Sequence, residues 1–187
     1  MGEPKLILPW ANTTVLGQVV ATFAAAGIED ILVVTGGARQ QIEALVTRLA
    51  QKYPVRAIYN PEHEHGGMLS SIQAGLAGLD SRSCAALIGL GDQPQVREET
   101  IRGIGAAFVQ TGSPLVMPSF QGHRGHPWLV ARPFWPEILL LPPSSTPRQF
   151  LRAHSGEIKY ILADDGILKD LDTPEEYDHQ RPETLAF

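Results

Sequence analysis

The sequence predicts an α/β fold, doubly wound about a mostly parallel sheet. Short apolar runs such as residues 30–34 and 84–90 alternate with longer stretches whose apolar residues recur at helical spacing. Strands that alternate with helices of ten or more residues imply right-handed crossovers and a layered sheet. In addition, Leu90-Gly91-Asp92-Gln93-Pro94 directly follows the run Cys84–Gly89. A lone aspartate there sits at the carboxyl end of a strand, the edge at which open α/β sheets bind ligands.

Each element has its own signal. Residues 13–26 carry Val15, Leu16, Val19, Val20 and Phe23 on one helical stripe, with Asn12 or Thr13 as cap and Gly27 as stop. Residues 30–34 read as a buried strand, and Gly36-Gly37 as the turn after it. Ile42, Leu45, Val46 and Leu49 mark a second helix; residues 54–59 form a strand and 60–67 a polar loop. A third helix spans 69–79, a strand 84–90, and a fourth helix 98–108 through Ile101, Ile104 and Phe108. Residues 114–118 are another strand.

The last third loses this rhythm. Residues 121–127 form a glycine-bearing loop before the apolar 128–130, and Pro133 and Pro136 bracket a turn or helix start. A loop over 142–147 precedes a helix over 148–154, and 157–162 reads as an edge strand. Thr173 is placed to cap a helix with Pro174 at its first position and Glu176 completing a capping box. The expected organisation is a single domain over 1–187, with a frayed tail from about His179.

Composition narrows the function. With 187 residues, 43% hydrophobic and 19% charged, the chain has material for a real core. A formal charge of −5 offers no basic face for nucleic acid. No apolar run approaches the roughly 18 residues that span a bilayer. The lone Cys84 cannot form an internal disulfide, reads as a small buried core residue, and fits a cytoplasmic setting.

Asp92 and a second carboxylate from Asp170-Leu171-Asp172 form a candidate pair for Mg²⁺ held against a nucleoside triphosphate. His63 and His65 alternate with Glu62 and Glu64, a pattern open to a transition metal, but no partner cluster stands elsewhere and a solvated loop is the simpler reading. Residues 1–10 follow no strand and no glycine-rich run of the kind that cradles phosphates through backbone N–H groups.

Several of these segments together resemble the molybdenum cofactor nucleotidyltransferase family. Met1-Gly2-x-Pro4-Lys5-Leu6-x-Leu8-Pro9-Trp10 is similar to the second half of its amino-terminal signature, without the LAAGxSxR segment that normally leads into it. Val33-Val34-Thr35-Gly36 resembles its second strand end, and Asn60 with Gly67–Leu76 its N…GMxSSLxAGL segment. Gly91-Asp92-Gln93-Pro94, Arg124-Gly125-His126-Pro127 and Asp170-x-Asp172-Thr173-Pro174-Glu175-Glu176 complete the match. Residues 5–10 look more like the cytidylyltransferase branch than the guanylyl-transferring one.

The resemblance implies a Rossmann-like nucleotidyltransferase domain, truncated at its first strand and phosphate loop. It implies Mg²⁺-dependent transfer of CMP from CTP to a molybdopterin-type phosphate, with pyrophosphate leaving. It places Asp92 and Asp172 on the metal and Lys5 on the triphosphate, Ser70, Ser71 and Gly75 along the nucleotide, and Arg124 and His126 near the acceptor. Lys5, Asp92 and His126 are the catalytic candidates; Asp170 is a supporting carboxylate, and Met68 and Leu69 are packing residues. Expected partners are the nucleotide, the pterin and a molybdoenzyme or its chaperone, with no nucleic acid and no membrane. GTP as donor, a sugar phosphate as acceptor, or a relative that binds a precursor or partner enzyme without turnover are the alternatives.

Overall fold

The computed structural model describes residues 4–182. A 3-10 turn over Lys5–Ile7 leads into a small antiparallel pair, β1 (Pro9–Trp10) and β2 (Thr13–Thr14). Helix α1 (Val15–Ala25) follows, capped by the Thr14 hydroxyl, which accepts from the Gly17 amide. It is thus the residue after the expected caps that closes the helix start.

β3 (Ile31–Thr35), α2 (Arg39–Leu49) and β4 (Val55–Tyr59) form one crossover unit, with β3 and β4 paired in parallel. Helix α3 (Gly67–Gly78) leads to β5 (Ala85–Ile88), and α4 (Glu98–Thr111) leads to β6 (Leu115–Phe120). The chain then reverses at Gln121-Gly122, both at positive φ, through β7 (His123–Arg124) into β8 (Trp128–Ala131). Helices α5 (Trp135–Leu140) and α6 (Pro147–Ala153), strand β9 (Ile158–Leu162) and helix α7 (Pro174–Gln180) finish the fold. α7 holds its turns to Gln180, and residues 183–187 of the expected frayed tail lie outside the described part.

The α/β class stands, with a mixed sheet in place of a mostly parallel one. β8 runs antiparallel between β5 and β6, while β9 joins β6 in parallel. The reason is local: the hairpin at Gln121-Gly122 sends the chain straight back, where a crossover helix would have preserved direction. The strands of the second sheet run β5-β8-β6, with β7 and β9 also on β6; β3-β4 stands as a separate pair.

Alternation along the strands sorts the core into two layers. Ala86, Leu115, Met117, Trp128 and Val130 pack with Leu69, Ile72 and Leu76 of α3 and with α5 and α6. Val116 and Leu129 pack on the other face with Ile104 of α4, and α1 and α2 cover the same side of β3-β4. Cys84 departs from expectation: it is exposed, one residue ahead of β5, where the strand has not yet entered the core. Met68 also lies outside the core, 48% exposed at the start of α3, whereas its neighbour Leu69 is buried.

Candidate active site

Segments near both ends of the described residues meet at the site. Leu171 is fully buried against Trp10, Val15 and Tyr177, and the Tyr177 hydroxyl donates to the Pro9 carbonyl. This apolar clasp fixes the segment before α7 against the β1-β2 pair. The predicted capping box forms: Thr173 Oγ1 accepts from the Glu176 amide, and the Glu176 carboxylate accepts from the amides of Thr173 and Asp172. Asp172 is thereby held at a fixed backbone position, pointing toward the 3-10 turn that carries Lys5.

Asp92 reaches the same point from the sheet. It follows β5 on the Gly91-Asp92 turn, and Gly91 lies close to the Leu6 side chain. The Lys5 ammonium sits 2.5 Å from Asp92 Oδ2 and 2.8 Å from Asp172 Oδ1. Burial would lower the lysine pKa, but hydrogen bonds to Asp172 and Asp92 outweigh it and the net shift is upward. The two carboxylates, 80 residues apart in sequence by their numbers, therefore converge on one cation.

The position of that ammonium is one a divalent cation could also take. Two carboxylate oxygens converging on one positive centre match the donor set of Mg²⁺, which takes one or two carboxylates and fills the rest of its shell with phosphate oxygens and water. Among the described residues no cluster of three or more His, Cys, Asp or Glu side chains is placed to hold a metal. Residues 61–65 form turns between β4 and α3, and His63 packs edge-on to Tyr59 and over Gly36.

His126 comes from a bulge. The register of β7 on β6 and that of β8 on β6 differ by two residues, so Gly125-His126-Pro127 is thrown out of the ladder. Gly125 is required there, because a Cβ would stand 2.4 Å from the Ile167 carbonyl oxygen. The His126 amide donates to that same carbonyl. Burial lowers the His126 pKa, opposed by the Asp92 charge, so the ring is neutral at pH 7 and faces the Asp92 side of the site. Arg124 stands apart from the carboxylates: it is exposed, with its guanidinium 5.3 Å from the Tyr160 ring centroid on β9.

Ser70 and Ser71 are engaged by the protein itself. The buried Asn60 side chain donates to Ser70 Oγ at 2.8 Å and to Ser71 Oγ at 3.1 Å, while its own oxygen accepts from the Glu62 amide. Gly75 lets α3 lie against β3, since a Cβ there would come within 3.3 Å of Val34. Asp170 makes no salt bridge among the described residues.

Two residues went unassigned in the sequence reading. Asn60 was read only as part of a segment, yet it ties the end of β4 to the start of α3. Gln93 stands in the sequence reading only as part of Gly91-Asp92-Gln93-Pro94. It is buried, its amide donates weakly to the Ile167 carbonyl at 3.4 Å, and its Oε1 is an unpartnered buried acceptor. An amide inside a Gly-Asp-x-Pro turn, where a small turn former would suffice, was the available signal.

A family model describing the MobA-like NTP transferase domain matches residues 1–158. The chain is 27% identical to the molybdenum cofactor cytidylyltransferase of Escherichia coli over 180 residues, covering 95% of this chain and 86% of that protein. It is 26% identical to the nicotine blue oxidoreductase of Paenarthrobacter nicotinovorans over 185 residues, covering 92% and 85%. Among solved structures it is similar to Rv0371c of Mycobacterium tuberculosis in complex with manganese, at a TM-score of 0.74 and 26% identity, covering 95% of this chain and 91% of that one.

Proposed function

Because the chain belongs to the MobA-like NTP transferase family and is a nucleotidyltransferase of that family, we propose that it carries CMP from CTP to the phosphate of a molybdopterin-type acceptor. One observation carries the reading: Asp92 and Asp172 share a single cationic partner at the carboxyl edge of β5. In the reaction an acceptor phosphate oxygen bonds to the α-phosphorus, and the bond from that phosphorus to the bridging oxygen of pyrophosphate breaks. Negative charge builds on the leaving group, and the protein acts by positioning and electrostatic stabilisation.

Asp92 and Asp172 would hold Mg²⁺, which supplies charge neutralisation of the triphosphate when bound. Lys5, once its carboxylates engage the metal, is free to neutralise a phosphate oxygen as a compact ammonium. His126, neutral and half-buried, acts by hydrogen bonding near the acceptor. Ser70, Ser71 and Gly75 line the nucleotide side, and the exposed Arg124 guanidinium is offered to the acceptor phosphate. The manganese in the mycobacterial structure and the name of the bacterial cytidylyltransferase support a divalent cation and a cytidine nucleotide.

The test is pyrophosphate release from CTP, with GTP in parallel, in the presence of Mg²⁺ and molybdopterin or a sugar phosphate. CTP with molybdopterin is expected to release pyrophosphate, and Asp92→Ala to lower the rate at least a hundredfold with an unchanged circular dichroism spectrum. No release and no thermal shift with any nucleotide would overturn the reading. A second reading, binding of a precursor or partner enzyme without transfer, is favoured by one observation: a relative of similar identity and coverage is named for an oxidoreductase. That reading predicts a thermal shift with molybdopterin and no pyrophosphate.

A further inference from the structure

Asp92 and His126 reach the site from different elements, the turn after β5 and the bulge between β7 and β8. One atom joins them. The Ile167 carbonyl oxygen accepts from the Gln93 side-chain amide at 3.4 Å and from the His126 backbone amide at 3.3 Å. Its two lone pairs thus go to the residue next to Asp92 and to His126 itself.

Ile167 belongs to the 3-10 turn Asp165–Leu168, and the chain makes room for that turn at two places. A Cβ on Gly125 would stand 2.4 Å from the Ile167 oxygen, and a Cβ on Gly166 would stand 2.6 Å from the Gln95 carbonyl oxygen. Glycine at both positions lets the turn wedge between the Asp92 loop and the His126 bulge. Its start is pinned as well: Asp164 accepts from the Gly166 amide and pairs with Arg97 at 3.1 Å. Beyond Ile167, through the buried Leu171, the same segment delivers Asp172.

Stability does not account for Gln93. Its side chain is buried, its one bond is long, and its Oε1 has no partner among the described residues. Turning the amide over would set its oxygen against the Ile167 oxygen and leave the NH₂ unpaired instead. A buried acceptor without a donor opposes folding, and an apolar side chain of the same shape would avoid that penalty. What the amide supplies is direction: a donor aimed at the oxygen that also holds His126.

We propose that Gln93 is a positioning residue, which sets the His126 bulge against the Asp92 turn through the Ile167 carbonyl. Loss of the amide frees that carbonyl to swing, and the bulge moves with it while the core stays packed. The work of Asp92 and His126 rests on the transfer proposed above; the link between them does not.

Gln93→Met tests it, since methionine keeps the length and removes both ends of the amide. The first readout is hydrogen exchange at the His126 amide by NMR, alongside Tm. The expected result is at least tenfold faster exchange at that amide, with a Tm equal to that of the wild type or higher. Gln95→Ala is the control: Gln95 lies on the same loop but bonds to Gln180, and its loss should leave His126 exchange unchanged. The second readout is kinetic: kcat with CTP falls at least tenfold while KM for CTP stays within twofold. Unchanged His126 exchange, or unchanged kcat, would overturn the proposal. So would a Gln93→Met protein that melts lower or fails to fold, which would make Gln93 a structural residue, and so would equal loosening by Gln95→Ala. Absence of turnover in the wild type would count against the transfer alone, and the exchange readout then decides for Gln93.

Discussion

Replacing Lys5 with methionine removes the ammonium between the two aspartates and keeps a stem of similar length. The bond to Asp92 is the stronger one, because the Lys5 and Asp92 side chains are only 31% and 17% exposed. A charge-assisted hydrogen bond of this kind contributes about 1.5–3 kcal/mol. The bond to Asp172 counts for less, since that side chain is 64% exposed and solvent screens it to about 0–1 kcal/mol. Discounted for screening, the ammonium holds its seat by about 2 kcal/mol. A divalent cation that binds both carboxylates must displace it. Lys5→Met should therefore tighten cation binding about thirtyfold, at about 1.4 kcal/mol per factor of ten. Titration with Mn²⁺ in the absence of nucleotide, following the free-ion electron paramagnetic resonance signal, measures this without reference to turnover. Asp92→Asn is the control and should abolish the site. Unchanged or weaker Mn²⁺ binding by Lys5→Met would show that the carboxylates do not share a cation seat with the lysine.

Further outcomes concern stability. Gly125→Ala places a Cβ against the Ile167 carbonyl and should lower stability by about 1–3 kcal/mol, or roughly 2–12 °C in Tm; Gly105→Ala, with open space around it, should be neutral or stabilising. Asn60→Ala strips a buried amide from the Ser70 and Ser71 hydroxyls and should cost about 1–3 kcal/mol in denaturant unfolding. Hydrogen bonds to Glu137, then Glu157, raise the His154 pKa. Its stabilising contribution is complete below the ordinary histidine value near 6.5 and is lost as pH rises through the higher folded value. The gap in Tm between wild type and His154→Gln should accordingly close with rising pH, and a gap that is flat or widens would contradict the pairing. His126 runs the other way: its lowered pKa makes the fold lose stability as pH falls below about 6.5, and His126→Gln should flatten that acid limb.

The class of fold and the main helices and strands from α1 to β6 are legible in the residues alone. Helical and strand periodicities are local signals, and Thr173-Pro174-Glu175-Glu176 states its capping box within four residues. Asp92 was legible because a polar turn directly after an apolar run marks a strand end. Tertiary structure decided what no local pattern encodes. It alone brought Asp172 to Asp92, through the Trp10–Leu171–Tyr177 clasp. It alone turned β8 antiparallel, because a two-residue hairpin and a crossover read much alike when the turn residues are Gln and Gly. It exposed Cys84 and Met68, whose burial depends on where an element enters the core, and it turned Ser70 and Ser71 toward Asn60. Periodicity reports which face of an element is apolar; only the packed chain reports what that face meets.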